Sequence, residues 1–556
     1  MSRDYLNLSW AQDLKNPKEK ILYRFFEILP GALSWGTLGA AFILSWLAPA
    51  VVAIFIIVFD LYWLLRVSYL SFHQLASYRQ MKKNLKINWL EKLKTLKIEN
   101  CRAKRGLSSS PSLLPAEARK LKIENWEDIC HLIILPMYKE GAEIVEPTLE
   151  ALVASNYPKD KMLIVLATEE RAGESAQKLA KEMGTEFGKI FFRFLITVHP
   201  KNIPGEAAGK GSNQAWAVKE AKEKIIDPLK IPCQNIIVSC FDVDTRVYPQ
   251  YFACLTWHYL KAKKPLRSSY QPVSIYNNNI WQVPAFSRVI STSGTFWQMM
   301  QQERPEQLVT FSSHSIPFKV FEEVGYPTNL MSVNDDSHIF WKSYLAYDGD
   351  YRVIPLHYPV SMDAVLGKDF FRTAINQYKQ QRRWAWGCNE IPYLLFGFLK
   401  NKKIPLWEKF RHTFNVLDAF WSWATSALLI FFLGWLPLLL GGEGFNITLL
   451  SYNLPRLTGN IMTLAMIGML VSAAISLLLL PSRPAGCSRW KNLSMVFQWL
   501  LLPLTLIIFG TFPALDAQAR LILGKPLGFW VTEKVYKNPN VKIQISNQAQ
   551  NPKSKI

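Results

Sequence analysis

The chain has 556 residues, of which 49% are hydrophobic, and its formal net charge is +21. The apolar residues are gathered into long runs, which favours a membrane protein with basic surfaces over a soluble protein that binds nucleic acid. The seven cysteines form no Cys-x-x-Cys pair and show no metal-binding spacing, so reduced thiols are expected.

The first apolar run follows a polar segment, residues 1–27, which we expect in the cytosol. Residues 28–65 contain a single charged residue, Asp60. One helix of this length would extend about 57 Å, whereas the hydrocarbon core of a bilayer is about 30 Å thick. We therefore predict a transmembrane hairpin, residues 28–69, that turns near Pro49. Asp60 is a functional candidate because acids are rare inside membranes, but pairing with Arg66 or access to the membrane surface explains it equally well.

Residues 70–127 are basic and end in a linker. From Arg79 to Arg105, lysine and arginine are interleaved with apolar residues, which predicts a basic amphipathic helix. Such a helix can lie on an anionic membrane surface, or it can pack on the next domain with its basic face in solvent. The pattern leaves both alternatives open. Ser110 and Pro111 mark the linker.

Short apolar runs alternate with helical segments from residue 128 to residue 400. The predicted strands are 131–136, 162–167, 190–196 and 236–239, and the predicted helices are 146–155, 175–184 and 213–224. This alternation is typical of an α/β domain with a mostly parallel sheet, in which ligands bind beyond the carboxyl ends of the strands. Three of the strands are followed by polar stretches, namely Tyr138-Lys139-Glu140, Thr168-Glu169-Glu170 and Asp242-Val243-Asp244. They predict one nucleotide site at a single edge of the sheet.

Membrane signals return after residue 400. Residues 401–416 form a predicted interfacial helix, and residues 417–480 hold two predicted transmembrane helices. Residues 481–514 comprise a basic loop and a third apolar run. Because lysine and arginine flank both ends of that run, the positive-inside rule favours a segment that enters and returns, bent near Pro503 and Pro513, over a full crossing. Residues 515–556 form a largely polar tail.

The acids Asp242 and Asp244 follow a buried strand, where carboxylates are costly without a compensating cation. A divalent metal ion that carries a nucleotide diphosphate suits their oxygen atoms. Asp-x-Asp alone is common in surface turns. Three later stretches strengthen the functional interpretation: Asn334-Asp335-Asp336, Gln380-Gln381-Arg382-Arg383-Trp384 and Phe529-Trp530-Val531-Thr532-Glu533-Lys534.

In their order and spacing, these stretches resemble membrane-embedded family 2 glycosyltransferases such as cellulose synthase and hyaluronan synthase. The resemblance covers about residues 128–534. It implies a cytosolic α/β domain of the GT-A (nucleotide-diphospho-sugar transferase) type with a mostly parallel mixed sheet, flanked by transmembrane helices in a bacterial plasma membrane. It also implies a UDP- or GDP-linked sugar donor, a polysaccharide or lipid acceptor and, as a candidate partner, an accessory export subunit.

The resemblance assigns roles around the donor. Asp242 and Asp244 would hold Mg²⁺ or Mn²⁺ against the leaving diphosphate, and Asp242 would also contact the nucleoside. Lys210, which precedes a predicted helix, matches a lysine near the nucleotide, and a surface lysine at a helix start is the less favoured alternative. Glu169 and Glu170 stand where many members have an Asp pair, and the choice between them is open.

The resemblance also assigns the catalytic base. Asp336 would take the proton from the acceptor hydroxyl, and Asp335 stands where the family usually has Glu. Both acids can also cap a helix predicted at 337–347. His338 is expected on the surface of that helix. His314 lies in the approximate place of the acceptor loop, in Ser312-Ser313-His314, and its role is left open.

The last two motifs would bind donor and acceptor. Arg383 would hold the diphosphate with its planar guanidinium, and Trp384, in the same motif as Gln380, would offer a flat face to a sugar ring. Trp386 is predicted to anchor the helix at the bilayer surface. The tail would close over the donor, with Thr532 and Lys534 on the nucleotide.

The sequence thus predicts an inverting glycosyltransferase, because one base and no second nucleophilic carboxylate imply direct displacement. The expected product is a growing polysaccharide, made processively and coupled to export. A non-processive enzyme that glycosylates a membrane lipid, an export subunit with vestigial catalytic residues and a basic peripheral scaffold are the alternatives. The full set of acids argues against the last two.

Overall fold

The apolar runs of the central segment form the strands of one mixed sheet. The computed structural model describes residues 4–96, 123, 125–484, 488 and 490–528. Its strands are β1 Cys130–Pro136, β2 Met162–Glu169, β3 Arg193–His199, β4 Ile236–Cys240, β5 Arg246–Val247, β6 Ser268–Ile275, β7 Ser315–Pro317 and β8 Arg352–Ser361. Their order is β3-β2-β1-β4-β7-β6-β8-β5. The first four are mutually parallel, while β7 is antiparallel to both of its neighbours. The predicted α/β domain with a mixed sheet is therefore confirmed.

The helices are numbered in chain order. They are α1 Pro17–Leu47, α2 Pro49–Leu85, α3 Trp89–Lys94, α4 Ala142–Val153, α5 Glu174–Phe187, α6 Lys210–Ala221, α7 Tyr251–Lys261, α8 Ala285–Gln302, α9 Phe318–Val324, α10 Asp335–Ala346, α11 Phe370–Ala385, α12 Glu390–Lys400, α13 Leu406–Phe431, α14 Leu436–Leu440, α15 Gly442–Asn446, α16 Leu449–Leu478, α17 Trp490–Phe497, α18 Leu502–Leu506 and α19 Phe512–Ile522.

Helices cover both faces of the parallel half of the sheet. Ile133 and Leu135 of β1 pack with α4, α5 and α7 on one face. Leu132 and Ile134 pack with α6 and α10 on the other. A strand that is buried on both sides has no solvent-facing side, which explains why β1, β2 and β4 are mostly apolar and do not alternate between apolar and polar residues.

The parallel register brings the ends of three strands to the same edge. Leu135 of β1 pairs with Leu166 of β2, and Ile134 pairs with Cys240, the last residue of β4. The residues that follow β1, β2 and β4 therefore emerge side by side, so the sheet itself sets the position of the polar stretches.

Five helical segments are long and apolar enough to cross a membrane: Pro17–Leu47, Pro49–Leu85, Leu406–Phe431, Leu449–Leu478 and Trp490–Ile522. Their lipid-compatible surfaces include strongly exposed apolar side chains such as Leu65 and Leu470. The first turn falls at Ala48, as predicted. One helix, α13, spans both the predicted interfacial helix and the start of the following span.

The first four of these segments form two helical hairpins with the same orientation. Pro49, in the turn between α1 and α2, lies beside Gly441 in the turn between α13 and α16. At the opposite end, Lys400 bonds Glu19 near the start of α1, and Asn84 near the end of α2 donates to the Leu356 carbonyl of β8 at 3.2 Å. Both turns therefore lie away from the α/β domain.

The segment Trp490–Ile522 contacts the α/β domain along its length. Arg288 of α8 donates to Gln498 at 2.6 Å, Phe286 stacks on Phe509 with ring centroids 5.2 Å apart, and Arg382 of α11 bonds Asp516 at 2.8 Å. Irregular turns, Gln498–Leu501 and Ile507–Thr511, precede the two prolines at which bends were predicted. The segment thus lies along α8 and α11.

The basic segment differs from its prediction over the described part. Instead of one amphipathic helix from Arg79, α2 ends at Leu85 and the short helix α3 follows. Trp89 of α3 is buried, with its ring 5.3 Å from that of Trp257 on α7. Of the two alternatives, α3 fits packing on the domain, because its apolar side chains are covered by protein. Residues 97–122 lie outside the described residues.

The acid inside the second span is not paired as proposed. Arg66 bonds Asp418 of α13 at 3.3 Å and Ser422 at 2.8 Å. Asp60 is buried in α2. The arginine therefore links two of the helices that are long and apolar enough to cross a membrane, and polar contacts of this kind stabilise helix packing in membranes.

A glycine permits close contact between α2 and α16. A Cβ atom at Gly468 would lie 2.9 Å from Ser71 Oγ and closer still to Val67, whereas a Cβ at Gly459 on the same helix would meet nothing within 4 Å. We expect Gly468→Leu to lower the midpoint of thermal unfolding, because overpacking costs about 1–3 kcal/mol. Gly459→Leu is the matched control and should leave the midpoint within about a degree of the wild type. Equal midpoints for the two variants would contradict this packing.

Candidate active site

The acids after β4 have different environments. Asp242 is partly exposed, with 29% of its side chain accessible. Asp244 is buried, and its Oδ2 atom accepts the backbone N–H of Asp363 at 3.0 Å. One amide, Asn278 Nδ2, donates to the Asp244 carbonyl at 3.0 Å and to Asp363 Oδ1 at 2.9 Å. The first acid, Asp242, is therefore accessible, while the second, Asp244, is held in place.

Asp363 is a third acid beside this pair that sequence reasoning missed. It lies two residues beyond β8, and Asn278 and Ser361, which are joined by a 2.6 Å hydrogen bond, fix that end of the strand. No local motif surrounds it. The signal available in the sequence was its position after a strand, which would have been informative only once β8 was known to end at this edge.

A lysine ammonium joins the two predicted halves of the site. Lys210, the first residue of α6, lies 2.7 Å from Asp242 Oδ1 and 2.9 Å from Asp336 Oδ2, and 10% of its side chain is exposed. Burial alone would lower the pKa of Lys210, but Asp242 and Asp336 outweigh it and hold the pKa well above the usual value. Lys210 is thus a buried, charged residue of the site rather than a surface lysine.

The neighbouring acids Asp335 and Asp336 point into different surroundings. Helix α10 begins at Asp335, after Asn334, so neither acid occupies the N-cap position. Asp335 is buried and accepts the Tyr326 hydroxyl at 2.9 Å, whereas Asp336 contacts Lys210. Successive helical residues are about 100° apart around the axis, which accounts for the separation.

Their pKa values move in opposite directions. Burial, followed by the charge of Asp336, raises the pKa of Asp335 to about 7. Burial would also raise the pKa of Asp336, but Lys210 and then His314 outweigh it and hold that pKa below its usual value. The lowered pKa favours the ionised form of Asp336, which is the form that a general base requires.

The tripeptide Ser312-Ser313-His314 contacts both acid groups. Ser312 Oγ donates to Asp242 Oδ2 at 2.5 Å, and Ser313 Oγ lies 2.8 Å from Thr245 Oγ1. His314 Nδ1 lies 3.6 Å from Asp336 Oδ1. A single short loop thus connects the segment after β4 to the start of α10.

The motif that includes Gln380, Arg383 and Trp384 lies on α11, and a tyrosine connects it to the acids. The Tyr276 ring centroid is 6.3 Å from that of Trp384. Burial and then the charges of Asp242, Asp244 and Asp336 raise the pKa of Tyr276, while Arg383 opposes them. Tyr276 was missed because nothing distinguishes it locally except that it directly follows β6. Gln380 accepts a hydrogen bond from Gln377 at 3.3 Å.

Two predictions around these motifs were wrong. Trp386 is not at the bilayer surface: it is 1% exposed and packs against Trp10, with ring centroids 6.2 Å apart. His338 is not on the helix surface, since it is buried with its ring 4.4 Å from that of Tyr393. Trp386 is covered by the N-terminal part of the chain, and His338 is covered by α12. The local sequence pattern does not show either contact.

The two acids at the end of β2, Glu169 and Glu170, also differ in burial and in their partners. Glu169 is buried and pairs with Arg171, whose Nη2 lies 3.1 Å from Glu169 Oε1 and whose guanidinium lies 4.7 Å above the Tyr138 ring. Glu170 pairs with Lys201 at 3.3 Å, with 43% of its side chain exposed. Of the two candidates, Glu169 is linked through Arg171 to Tyr138, which follows β1. Thr532 and Lys534 lie outside the described residues.

No protein-family model matches the chain, and no curated protein matches it. Among solved structures, it is similar to the mannosyltransferase PcManGT from Pyrobaculum calidifontis in complex with GDP-Man and Mn²⁺, at 14% identity and a TM-score of 0.38, over 84% of this chain and 99% of that one. It is also similar to residues 1–349 of TarS from S. aureus in complex with UDP-GlcNAc, at 10% identity and a TM-score of 0.33, over 71% and 93% of the two chains. Because both TM-scores are low, we base the assignment of function on the side chains of this chain.

The raised pKa of Asp335 predicts a dependence of stability on pH. An acid whose folded pKa is about 7, compared with about 3.9 when unfolded, favours folding below the lower value, and this contribution is lost as pH rises through 7. In Asp335→Asn, which can still accept the Tyr326 hydroxyl, the unfolding midpoint should fall less between pH 5 and pH 8 than in the wild type. Asp350→Asn, at an exposed ion pair with Lys264, is the control. An unchanged pH dependence in Asp335→Asn would contradict the shift.

Proposed function

We propose that the chain is an inverting membrane glycosyltransferase of the GT-A type that moves a sugar from a UDP- or GDP-linked donor to a growing polysaccharide. The observation that carries this proposal is the contact of one buried ammonium, Lys210, with both Asp242 and Asp336. It unites an acid suited to a metal and diphosphate with an acid suited to proton abstraction. Both lie at the edge where a parallel sheet binds nucleotides.

Asp242 and Asp244 would hold a Mg²⁺ or Mn²⁺ ion. The described residues contain no group of three or more His, Cys, Asp or Glu side chains arranged for a metal. Two carboxylates nevertheless fit a cation whose remaining ligands are diphosphate oxygens, because hard cations prefer oxygen and commonly share substrate phosphates. Asp244 is fixed by the Asp363 amide, which would orient it as a ligand. The bound metal would neutralise the leaving diphosphate.

Asp336 would act as the base. As the acceptor oxygen bonds to the anomeric carbon, the bond from that carbon to the diphosphate breaks and the acceptor proton passes to Asp336. With Asp336 as the one base and no second carboxylate acting as nucleophile, attack opposite the leaving group would invert the configuration. Lys210 and Arg383 would turn to the diphosphate, and Trp384 and Tyr276 would present flat apolar faces to the sugars. Asp335, turned toward Tyr326, would support the start of α10.

We further propose that α1, α2, α13 and α16 cross the membrane and that residues 490–522 are re-entrant or interfacial. The contacts of that segment with α8 and α11 support this arrangement. Four crossings place both ends of the chain on the side of the α/β domain, which basic flanking residues put in the cytosol. The tail could then close over the donor, with Thr532 and Lys534 on the nucleotide, and Glu169 and not Glu170 would face the nucleoside.

A lipid acceptor is the second candidate. The first turn of α11, the helix that bears Gln380 and Trp384, exposes Phe370 by 58% and Phe371 by 77%. Exposed aromatic side chains beside a membrane segment are typical of the bilayer interface. They would let a lipid-linked hydroxyl reach the site from the membrane, in which case transfer would be non-processive. An export subunit with vestigial residues is disfavoured because Lys210, Asp242 and Asp336 remain in contact.

The chemistry is tested with purified protein in lipid nanodiscs, UDP- and GDP-sugars and Mg²⁺ or Mn²⁺, by measuring release of the nucleotide diphosphate. We expect Asp336→Asn to lower the rate about 10²–10⁴-fold, the usual effect of losing a general base, while donor binding measured by calorimetry survives. Asp244→Asn should lose metal-dependent donor binding. Asp350→Asn is the control and should keep wild-type turnover.

Two results would argue against these assignments. Full activity of Asp244→Asn in EDTA would remove the metal role, and parallel loss of binding and turnover in Asp336→Asn would make that residue structural. Product length on a gel separates the acceptors: a ladder indicates a polymer, and a single glycolipid band indicates a lipid acceptor.

The topology is tested by cysteine labelling in a cysteine-free background. Ser546→Cys should resist an impermeant reagent added outside intact cells, because the tail is proposed to be cytosolic. Ile447→Cys is the positive control, since Ile447 is 85% exposed in the turn between α13 and α16. Labelling of Ser546→Cys from outside would refute both the topology and the closure of the tail over the donor.

A further inference from the structure

His314 is a buried histidine fixed on two sides by the backbone. It lies directly before β7 and is 0% exposed. Its Nδ1 atom lies 3.1 Å from the Phe311 carbonyl, and its own carbonyl accepts the Cys240 N–H at 2.9 Å. With its backbone and Nδ1 held in this way, the ring is positioned 3.6 Å from Asp336 Oδ1.

Several ionisable groups surround the His314–Asp336 pair, each from a different element. Lys210 contacts Asp336 from α6, and Asp242 acts on it from the segment after β4. Asp335 precedes it on α10, Tyr276 faces it from the end of β6, and Cys240 of β4 lies beside His314. Arg383 on α11 acts on Tyr276. Lys210 and His314 are the cationic groups that lower the pKa of Asp336 directly, and Lys210 is shared with Asp242.

Lys210 and His314 differ in their access to a bound ligand. Lys210 is largely buried but keeps 10% of its side chain exposed, and it also contacts the acid proposed to bind the donor's metal, so a bound diphosphate would compete with Asp336 for it. His314 is fully buried and has no route to a ligand. If Lys210 turned to the diphosphate and nothing replaced it, burial and the charge of Asp242 would favour the protonated, inactive form of Asp336.

We propose that His314 is a positioning residue: a buried imidazolium that stays paired with Asp336 during donor binding and keeps this base ionised and oriented. The inference rests on the proposed role of Asp336. The electrostatics agree with the geometry, because burial alone would lower the pKa of His314 but contact with Asp336 reverses this and raises it to about 10. A neutral His314 could hold the turn through Phe311 equally well. Whether His314 is charged therefore distinguishes the proposed role from a purely structural one.

The charge is measured without any enzymatic assay. The chain contains eight histidines, and ¹³C,¹⁵N-histidine NMR of the full chain in detergent distinguishes neutral from cationic rings. At pH 8.5 an ordinary histidine is neutral, and burial lowers the pKa of His131, His258, His338 and His357 further. We expect one cationic ring in the wild type and none in Asp336→Asn. No cationic ring in the wild type, or one that persists in Asp336→Asn, would overturn the proposal.

The consequence for the base is measured by kinetics. Glutamine at position 314 can still donate to Phe311 but carries no charge, so in His314→Gln the acid limb of kcat/KM should move up by about one to two pH units. On the acid limb, at pH values below the wild-type pKa of the base, the rate should then fall about 10- to 100-fold, and the rate at pH 9 should approach that of the wild type. His338→Gln, also buried on the helix of Asp336, should show no shift of the limb.

The outcomes distinguish this inference from the proposed function. A pH-independent loss in His314→Gln, or an unshifted limb, would make His314 structural. If His314→Gln does not fold, His314→Asn carries the same test, and the NMR comparison of wild type with Asp336→Asn decides the charge in either case. If the protein transfers no sugar, the proposed function fails on its own assay, while the NMR result still decides whether His314 and Asp336 form a charged pair.

Discussion

The arrangement of the candidate site depends on one buried ammonium that neutralises two carboxylates. Lys210 lies within 3 Å of both Asp242 and Asp336. Two acids so close together repel each other, and losing one partner of a buried ion pair typically costs about 3–5 kcal/mol. The lysine therefore lets the metal-suited acid and the base-suited acid share one site. If a metal ion and a diphosphate bind as proposed, their charges would redistribute the charge around Asp336.

The sheet makes this contact possible. Parallel pairing of β1 with β2 and β4 sets their carboxyl ends at one edge, and α6 and α10 begin at that same place, with Lys210 and Asp336 in their first turns. The antiparallel strand β7 then carries the Ser312-Ser313-His314 loop to the acids. Side chains far apart in the chain thus meet because their strands and helices begin or end at a common edge.

The apolar helical segments and the candidate site are joined through α11. This helix bears Arg383 and Trp384, contacts Asp516 of the last apolar segment through Arg382, and exposes two phenylalanines at its start. The segment that leads to the tail is held by Arg288 and Arg382. Movement of that segment would therefore displace α11, the helix that carries the proposed donor- and sugar-binding residues.

The sequence by itself determined the alternating strands and helices of the α/β domain, the turn at Ala48 and the apolar segments, because each is a local pattern of hydrophobicity. From short motifs it predicted the acids at positions 242, 244 and 336 as site residues. Only the tertiary structure decided which acid is ionised and which neighbours complete the site. Asp363 meets Asp244 across 119 positions of chain, and Tyr276, His314 and the buried Trp386 acquire their surroundings from other elements. Burial and charge–charge interaction act through space, so a pattern read along the chain cannot contain them.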